Sequence, residues 1–248
     1  MKTIYILWLR ELKRYSRSKS RIIGSLGQPI LFLVALGYGL GNVFQRAGEG
    51  NYFQFLAPGI IGMSIIFTAI FSGIQMIWDR QFGFLKETLV APVRRISIMF
   101  GRTLGGATVA TFQGILVLAI VLVFGFRPYS WALIPVAILF MLLVALLFAA
   151  LGAMVASLLD DMQGFQLIMN FLIMPLFFLS GALFPLQGLP RALDIVVRFD
   201  PLSYGIDAFR ILLANVGAFG LGLDVAVLGS VAAVFLVLSS WFFSKIQV

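Results

Sequence analysis

The 248 residues are 61% hydrophobic and 11% charged, with a mean hydropathy of +1.04 and a formal net charge of +8. A soluble domain carries about a quarter charged residues, so a water-soluble core is excluded. The absence of Cys and His removes disulfide frameworks, thiol nucleophiles, the usual zinc ligand sets and histidine proton relays.

A pI near 10.2 could suggest nucleic acid, but the cations sit elsewhere. Seven of the 18 Lys and Arg residues (Lys2, Arg10, Lys13, Arg14, Arg17, Lys19 and Arg21) precede the first apolar run, as cytoplasmic flanks do. Ile4, Ile6, Leu7, Leu9 and Leu12 alternate with them, which predicts an amphipathic helix over residues 1–21 at the cytoplasmic interface. A plain orientation signal has the same composition. No small-residue cleavage pattern follows the apolar run, so the N-terminus is expected to stay attached.

A spanning helix takes about 20 apolar residues, and six such runs follow. The first is Ile22 to Leu40, with an external loop from Gly41 to Gln54, and the second is Phe55 to Trp78. Asp79 to Arg102 reads as the largest internal loop. Leu104 to Phe124 is the third span, a turn at Arg127, Pro128 and Tyr129 lies outside, and Trp131 to Leu158 is the fourth. Asp160 and Asp161 make a short internal turn before the fifth span, Phe165 to Leu183, in which Pro175 predicts a kink. Phe184 to Arg210 is broken by prolines and charges every few residues. It predicts short amphipathic or re-entrant helices on the outer side, which a bilayer tolerates where backbone is buried in protein or lines a cavity. Leu221 to Phe243 is the sixth span, and Lys245 follows it. With the N-terminus inside, 13 of the Lys and Arg residues fall inside and 5 outside, so both termini are expected in the cytoplasm. The fold class is therefore an all-α membrane protein with an interface helix (residues 1–21) and one six-helix transmembrane domain (residues 22–248).

No GxxxxGK[ST] phosphate loop occurs, so the chain is not expected to hydrolyse ATP, and it is read as a non-enzymatic transport subunit. Every ionisable residue falls at or near a predicted span end, which weakens an ion-gradient-driven secondary transporter and points to a partner that supplies work. FLKETLVAPVRRISIMFGR (Phe84 to Arg102) is the candidate contact. Leu85, Leu89 and Val90 with Lys86 and Glu87 suit a short surface helix that Pro92 ends, and Arg94 and Arg95 give orientation. An interfacial loop whose arginines only hold topology fits the same residues. Within the spans, Thr68, Ser72 and Gln75 share one helical face, and Gln163, Gln166 and Asn170 share another. Such residues either line a pathway or hydrogen-bond between helices. Gly101, Gly105 and Gly106 permit close helix approach.

The stretch IMPLFFLSGALFPLQGLPRALDIVVRFDPLSYGIDAFR (Ile173 to Arg210) resembles the signature of the ABC transporter type-2 permease family. Ser180, Ala182, Leu189, Pro190, Pro201, Leu202, Tyr204 and Arg210 fall on its expected types and spacings. ETLVAPVRR (Glu87 to Arg95) resembles the family's coupling loop, and the layout of basic start, six spans and long outer connection agrees along the whole chain. The resemblance implies a permease that pairs with a second copy, here most simply as a homodimer, and binds two copies of a cytoplasmic ABC ATPase. ATP and Mg would be bound by that partner, with no cofactor or metal on this chain. The interface helix (Arg10, Lys13, Arg14) and the coupling loop (Lys86, Glu87, Leu89, Pro92, Arg94, Arg95) would be the docking surfaces, and Pro190, Pro201, Tyr204 and Arg210 would belong to an external gate. The apolar span interiors resemble the drug-exporter branch, with hydrophobic or amphipathic substrates and a place in a prokaryotic inner membrane. Export of a lipid-linked saccharide or polysaccharide by the same machinery is the alternative.

Overall fold

The computed structural model describes residues 2–41, 51–85, 88, 93–186 and 190–245. The calls on Lys86, Glu87, Leu89, Val90 and Pro92, and most of the first external loop, lie outside the described residues. Among the described residues every regular element is helical: α1 (Lys2–Arg17), α2 (Lys19–Gly39), α3 (Tyr52–Phe71), α4 (Ile74–Gln81), α5 (Arg95–Val123), α6 (Ile134–Leu158, after a 3-10 turn Trp131–Leu133), α7 (Met162–Leu179), α8 (Arg191–Phe199), α9 (Pro201–Ala214) and α10 (Leu221–Ser244). Six stretches are long and apolar enough to cross a membrane: α2, α3 with α4, α5, the 3-10 turn with α6, α7 and α10. The chain is an all-α, multi-pass membrane protein.

Three of the predicted span limits move. The fifth span ends at Leu179 rather than Leu183. The helix of the second span runs on past Trp78 to Gln81 and that of the third starts at Arg95 rather than Leu104, so the connection between them is shorter than the Asp79 to Arg102 loop read from the charges. The physical reason is that Asp79 and Arg102 neutralise each other across the two helices. A charge that finds its partner at the same depth does not force the backbone out of the helix. Pro175 sits inside α7, whose helical run continues across it.

The centre of the bundle is α3, α5 and α6. Two thirds (67%) of the second span's most apolar stretch is buried, against 17% for α2 and α10 and 22% for α7. With lipid on all sides there is little hydrophobic drive between helices, so close van der Waals packing between small residues takes over. Gly73, where α3 hands over to α4, lies against the Gly152 carbonyl of α6, and Gly152 lies against the Ile70 carbonyl; a Cβ on either would meet backbone. Ala145, Ala149, Ala150 and Ala153 extend this small-residue face of α6, all of them buried.

Candidate functional site: the tied inner helix ends and the buried outer segment

The amphipathic pattern of α1 is satisfied by protein. Leu7 is buried, Gly101 of α5 faces Ile4 and Leu7, and Gly105 faces Glu11. Trp8 Nε1 donates to Thr108 Oγ1 at 3.0 Å, and the Tyr15 hydroxyl donates to Gln113 Oε1 at 2.6 Å. Contacts that advance from residue 4 to 15 on one helix and from 101 to 113 on the other mean that α1 and α5 run side by side in the same direction. The expected close approach at Gly101 and Gly105 is therefore the seat of α1, while Gly106 faces Ser72.

Asp79, at the inner end of the second span, is the point where three helices meet. Its carboxylate accepts from Arg10 Nη2 of α1 at 2.8 and 2.9 Å and from Arg102 Nη2 of α5 at 2.6 Å. Asp79 and Arg102 are buried, while the Arg10 side chain is 38% exposed. One residue further on, Arg80 turns the opposite way to pair with Asp160 and the Leu159 carbonyl, and Gln81 Nε2 donates to the Asp160 carbonyl at 3.0 Å. Arg95 Nη1 donates to the Ser244 carbonyl at 2.7 Å, joining the start of α5 to the end of α10, where Lys245 Nζ lies 3.3 Å over the Trp241 ring. Of the predicted docking residues, Lys13 and Arg94 are exposed. Arg14 is half-buried, 3.9 Å from Glu11, and lines a groove with Arg10, Trp78, Phe82 and Phe84.

The polar residues of the spans separate into groups. Thr68 lines a cavity of about 180 Å³ between α1, α2 and α3, with Tyr15, Ser25, Gln28, Ser64 and Phe71. Ser72 and Gln75 turn inward to a void of about 20 Å³ shared with Glu11, Arg102, Thr103 and Ala149. Thr68 thus lines one cavity, and Ser72 and Gln75 another. Gln163, Gln166 and Asn170 remain together and are exposed on α7.

The outer segment is built differently. α7 ends at Ser180, and the chain crosses residues 181–186 without helix. Backbone there needs partners, and they come from side chains. Arg210 Nη2 donates to the Gly181 carbonyl at 2.5 Å while its guanidinium lies 3.9 Å from the centre of the Phe55 ring. The Tyr52 hydroxyl donates to the Leu183 carbonyl at 3.0 Å, and Gly59 lets the Ala182 backbone press against α3. Pro190 precedes α8, and Pro201 opens α9 behind Asp200, whose carboxylate caps the Leu202 amide at 2.8 Å. Burial pushes the Asp200 carboxyl up to about 7, against the opposing pull of that amide and Ser203. The Tyr204 hydroxyl donates to the Arg198 carbonyl at 2.9 Å. Asp207 accepts from the amides of Ala218, Phe219 and Gly220 at 2.6, 2.9 and 3.3 Å, which fixes the turn into α10. The chain leaves α9 at Asn215, in the left-handed region at φ 56°.

Sequence reasoning placed Asp79, Arg80, Arg102 and Asp160 as loop charges and Asp207 as one interruption among many. The missed signal was depth: Asp79 stands near the end of one span and Arg102 near the start of the next, so antiparallel neighbours bring them level.

Helices that bury charge at one end, hold re-entrant backbone at the other and keep a small-residue core between define a polytopic membrane permease. The chain belongs to the ABC-2 type transporter family, whose model matches residues 2–214. It is 30% identical to Nodulation protein J of Rhizobium leguminosarum bv. trifolii over 82% of this chain and 78% of that protein. It is also 30% identical to the inner membrane transport permease YadH of Escherichia coli (strain K12), over 82% and 80%, and 28% identical to the putative transport permease ycf38 of Cyanophora paradoxa, over 86% and 74%. The family is that of transport subunits, which work with a separate ATPase subunit.

Proposed function

We propose that this chain is the membrane half of an ATP-driven exporter of hydrophobic or amphipathic molecules, in which two copies of the permease pair and two copies of a cytoplasmic ATPase dock beneath them. The observation that carries the reading is the polar row on α7. Asn170 stands eight residues into that helix, about 12 Å along its axis, and is exposed together with Gln163 and Gln166. An amide facing lipid at that depth is costly. A row of three facing away from the bundle's own core therefore suits a path that a second copy encloses. The apolar neighbours Leu167 and Phe171 (71% and 83% exposed) and, on α2, Ile23 and Leu31 offer the surface for that copy. The cavity at Thr68 opens between α2 and α3 and would belong to the same path.

On the inner side, α1 presents Lys13 and Arg14 on the face away from α5, and the coupling segment leaves the span that Asp79 ends. Those are the surfaces assigned to the ATPase. The excess of cations on the inner connections supports both termini in the cytoplasm, and kinship with a protein named an inner membrane transport permease supports the same membrane for this chain.

The test is co-purification of the chain with an ATPase encoded beside it, then nucleotide hydrolysis in lipid nanodiscs with amphipathic dyes and, separately, lipid-linked saccharides. Stimulation by the dyes supports the reading; stimulation by saccharides alone replaces the substrate class. A chain that purifies alone, and whose transport stops when the proton or sodium gradient is collapsed with ATP intact, overturns it.

A further inference from the structure

We infer that Asp79 is a positioning residue for energy coupling: its carboxylate locks α1, the inner end of the second span and the start of the third into one moving unit, so that force received by the ATPase-facing elements reaches the spans undiminished. This rests on the exporter reading above.

The geometry is specific. Asp79 is five residues before Phe84, where the coupling segment begins, so it anchors the root of that segment. Both its oxygens are engaged, one by Arg10 alone and the other shared by Arg10 and Arg102. Arg10 belongs to a helix that packs chiefly along α5, and Asp79 gives that helix a charged tie to the second span. Buried charge pairs are short, directional and intolerant of sliding, whereas the glycine and alanine contacts elsewhere in the bundle let helices shear. A charge pair buried at a helix end is therefore suited to transmit displacement, and the small-residue crossing at Gly73 and Gly152 one to two turns above it is suited to permit rotation. Arg80 and Gln81 carry the same joint across to the turn before α7, the helix that presents Asn170. An unbroken run of polar contacts thus leads from the docking helix to the candidate path.

The experiment uses the permease with its ATPase in nanodiscs and proteoliposomes. Because the chain contains no cysteine, Ser16→Cys on α1 and Phe82→Cys at the end of the second span, both exposed positions, can be spin-labelled and the separation of the two elements measured. With Asp79 in place the distance distribution is expected to be narrow and unchanged by ATP with vanadate. Asp79→Asn should broaden it and lower the substrate moved per ATP hydrolysed by about tenfold, with the ATPase still bound. Asp79→Glu should restore most of both. Arg10→Gln leaves the buried Asp79 and Arg102 pair intact, so it keeps the fold should Asp79→Asn lose it, and it is expected to broaden the distribution with a smaller loss of about threefold. Wild-type coupling in Arg10→Gln together with a narrow distribution overturns the inference, as does a broadened distribution with unchanged substrate per ATP in either variant. If the wild-type chain binds no ATPase, the exporter reading fails by itself. The label distances still judge the joint, since an unaltered distribution in both variants refutes it.

Discussion

The inner and outer ends of this bundle bury charge for different purposes. Inside, Asp79 meets Arg10 and Arg102, and Arg80 meets Asp160, so charged side chains join one helix to another across long sequence separations. Outside, Asp207 and Arg210 spend their hydrogen bonds on backbone: the amides that open α10 and the carbonyl that follows α7. Charge that binds charge fixes helices relative to one another, and charge that binds backbone fixes irregular chain where no helix supplies its hydrogen bonds. The difference teaches that the inner end is organised to move as a body, and the outer end to keep a non-helical segment in place.

The comparison breaks most readily at Asp79. Asp79→Ala strands the buried Arg102 guanidinium and should cost about 3–5 kcal/mol, read as the largest drop in thermal unfolding temperature in detergent. A drop of about 1 kcal/mol or less would mean that the inner end is not held by charge. The outer end should instead show pH dependence. Burial raises the Asp200 carboxyl to about 7 from an ordinary 3.8, so the folded state holds a proton that the unfolded chain releases. Stability is then full below about pH 4 and falls as pH rises to about 7, by on the order of 4 kcal/mol. Asp200→Asn, which still caps Leu202, should flatten that profile; an unchanged profile would remove Asp200 as its source. Asp207→Ala frees three amides at once and should cost about 2 kcal/mol, with faster amide hydrogen exchange at residues 218–220 and none of the change in the separation of α1 and the second span that Asp79 variants produce. Arg198→Ala is the smallest case. Its pairing with Asp194 is exposed at both partners, and its loss should cost about 0.3 kcal/mol, within the error of thermal unfolding.

Six spans and their order were legible because apolar length is a strong signal, and the fourth span fell on Trp131 to Leu158 as drawn. The inner ends of the second and third spans were misplaced because a charge looks like a loop until its partner is known, and Arg102 lies 23 residues from Asp79. That Thr68 lines one cavity while Ser72 and Gln75 line another was not legible either, because cavities depend on which neighbouring helices face each turn. Of the candidate site, the outer prolines, Tyr204 and Arg210 were singled out by the family resemblance, but the partners of Arg210, the Gly181 carbonyl and the Phe55 ring, come from distant elements that spacing does not report.

The seating of α1 on α5 also sets an order of events during synthesis. Trp8 and Tyr15 meet partners 100 and 98 residues later in the chain, and Arg10 meets Asp79 69 residues later. At a translation rate of about 5–20 residues per second, α1 waits roughly 5–20 s for the groove that will hold it. During that interval its apolar side has the membrane surface to rest on. A helix made well before its partners is thus late to reach its final place.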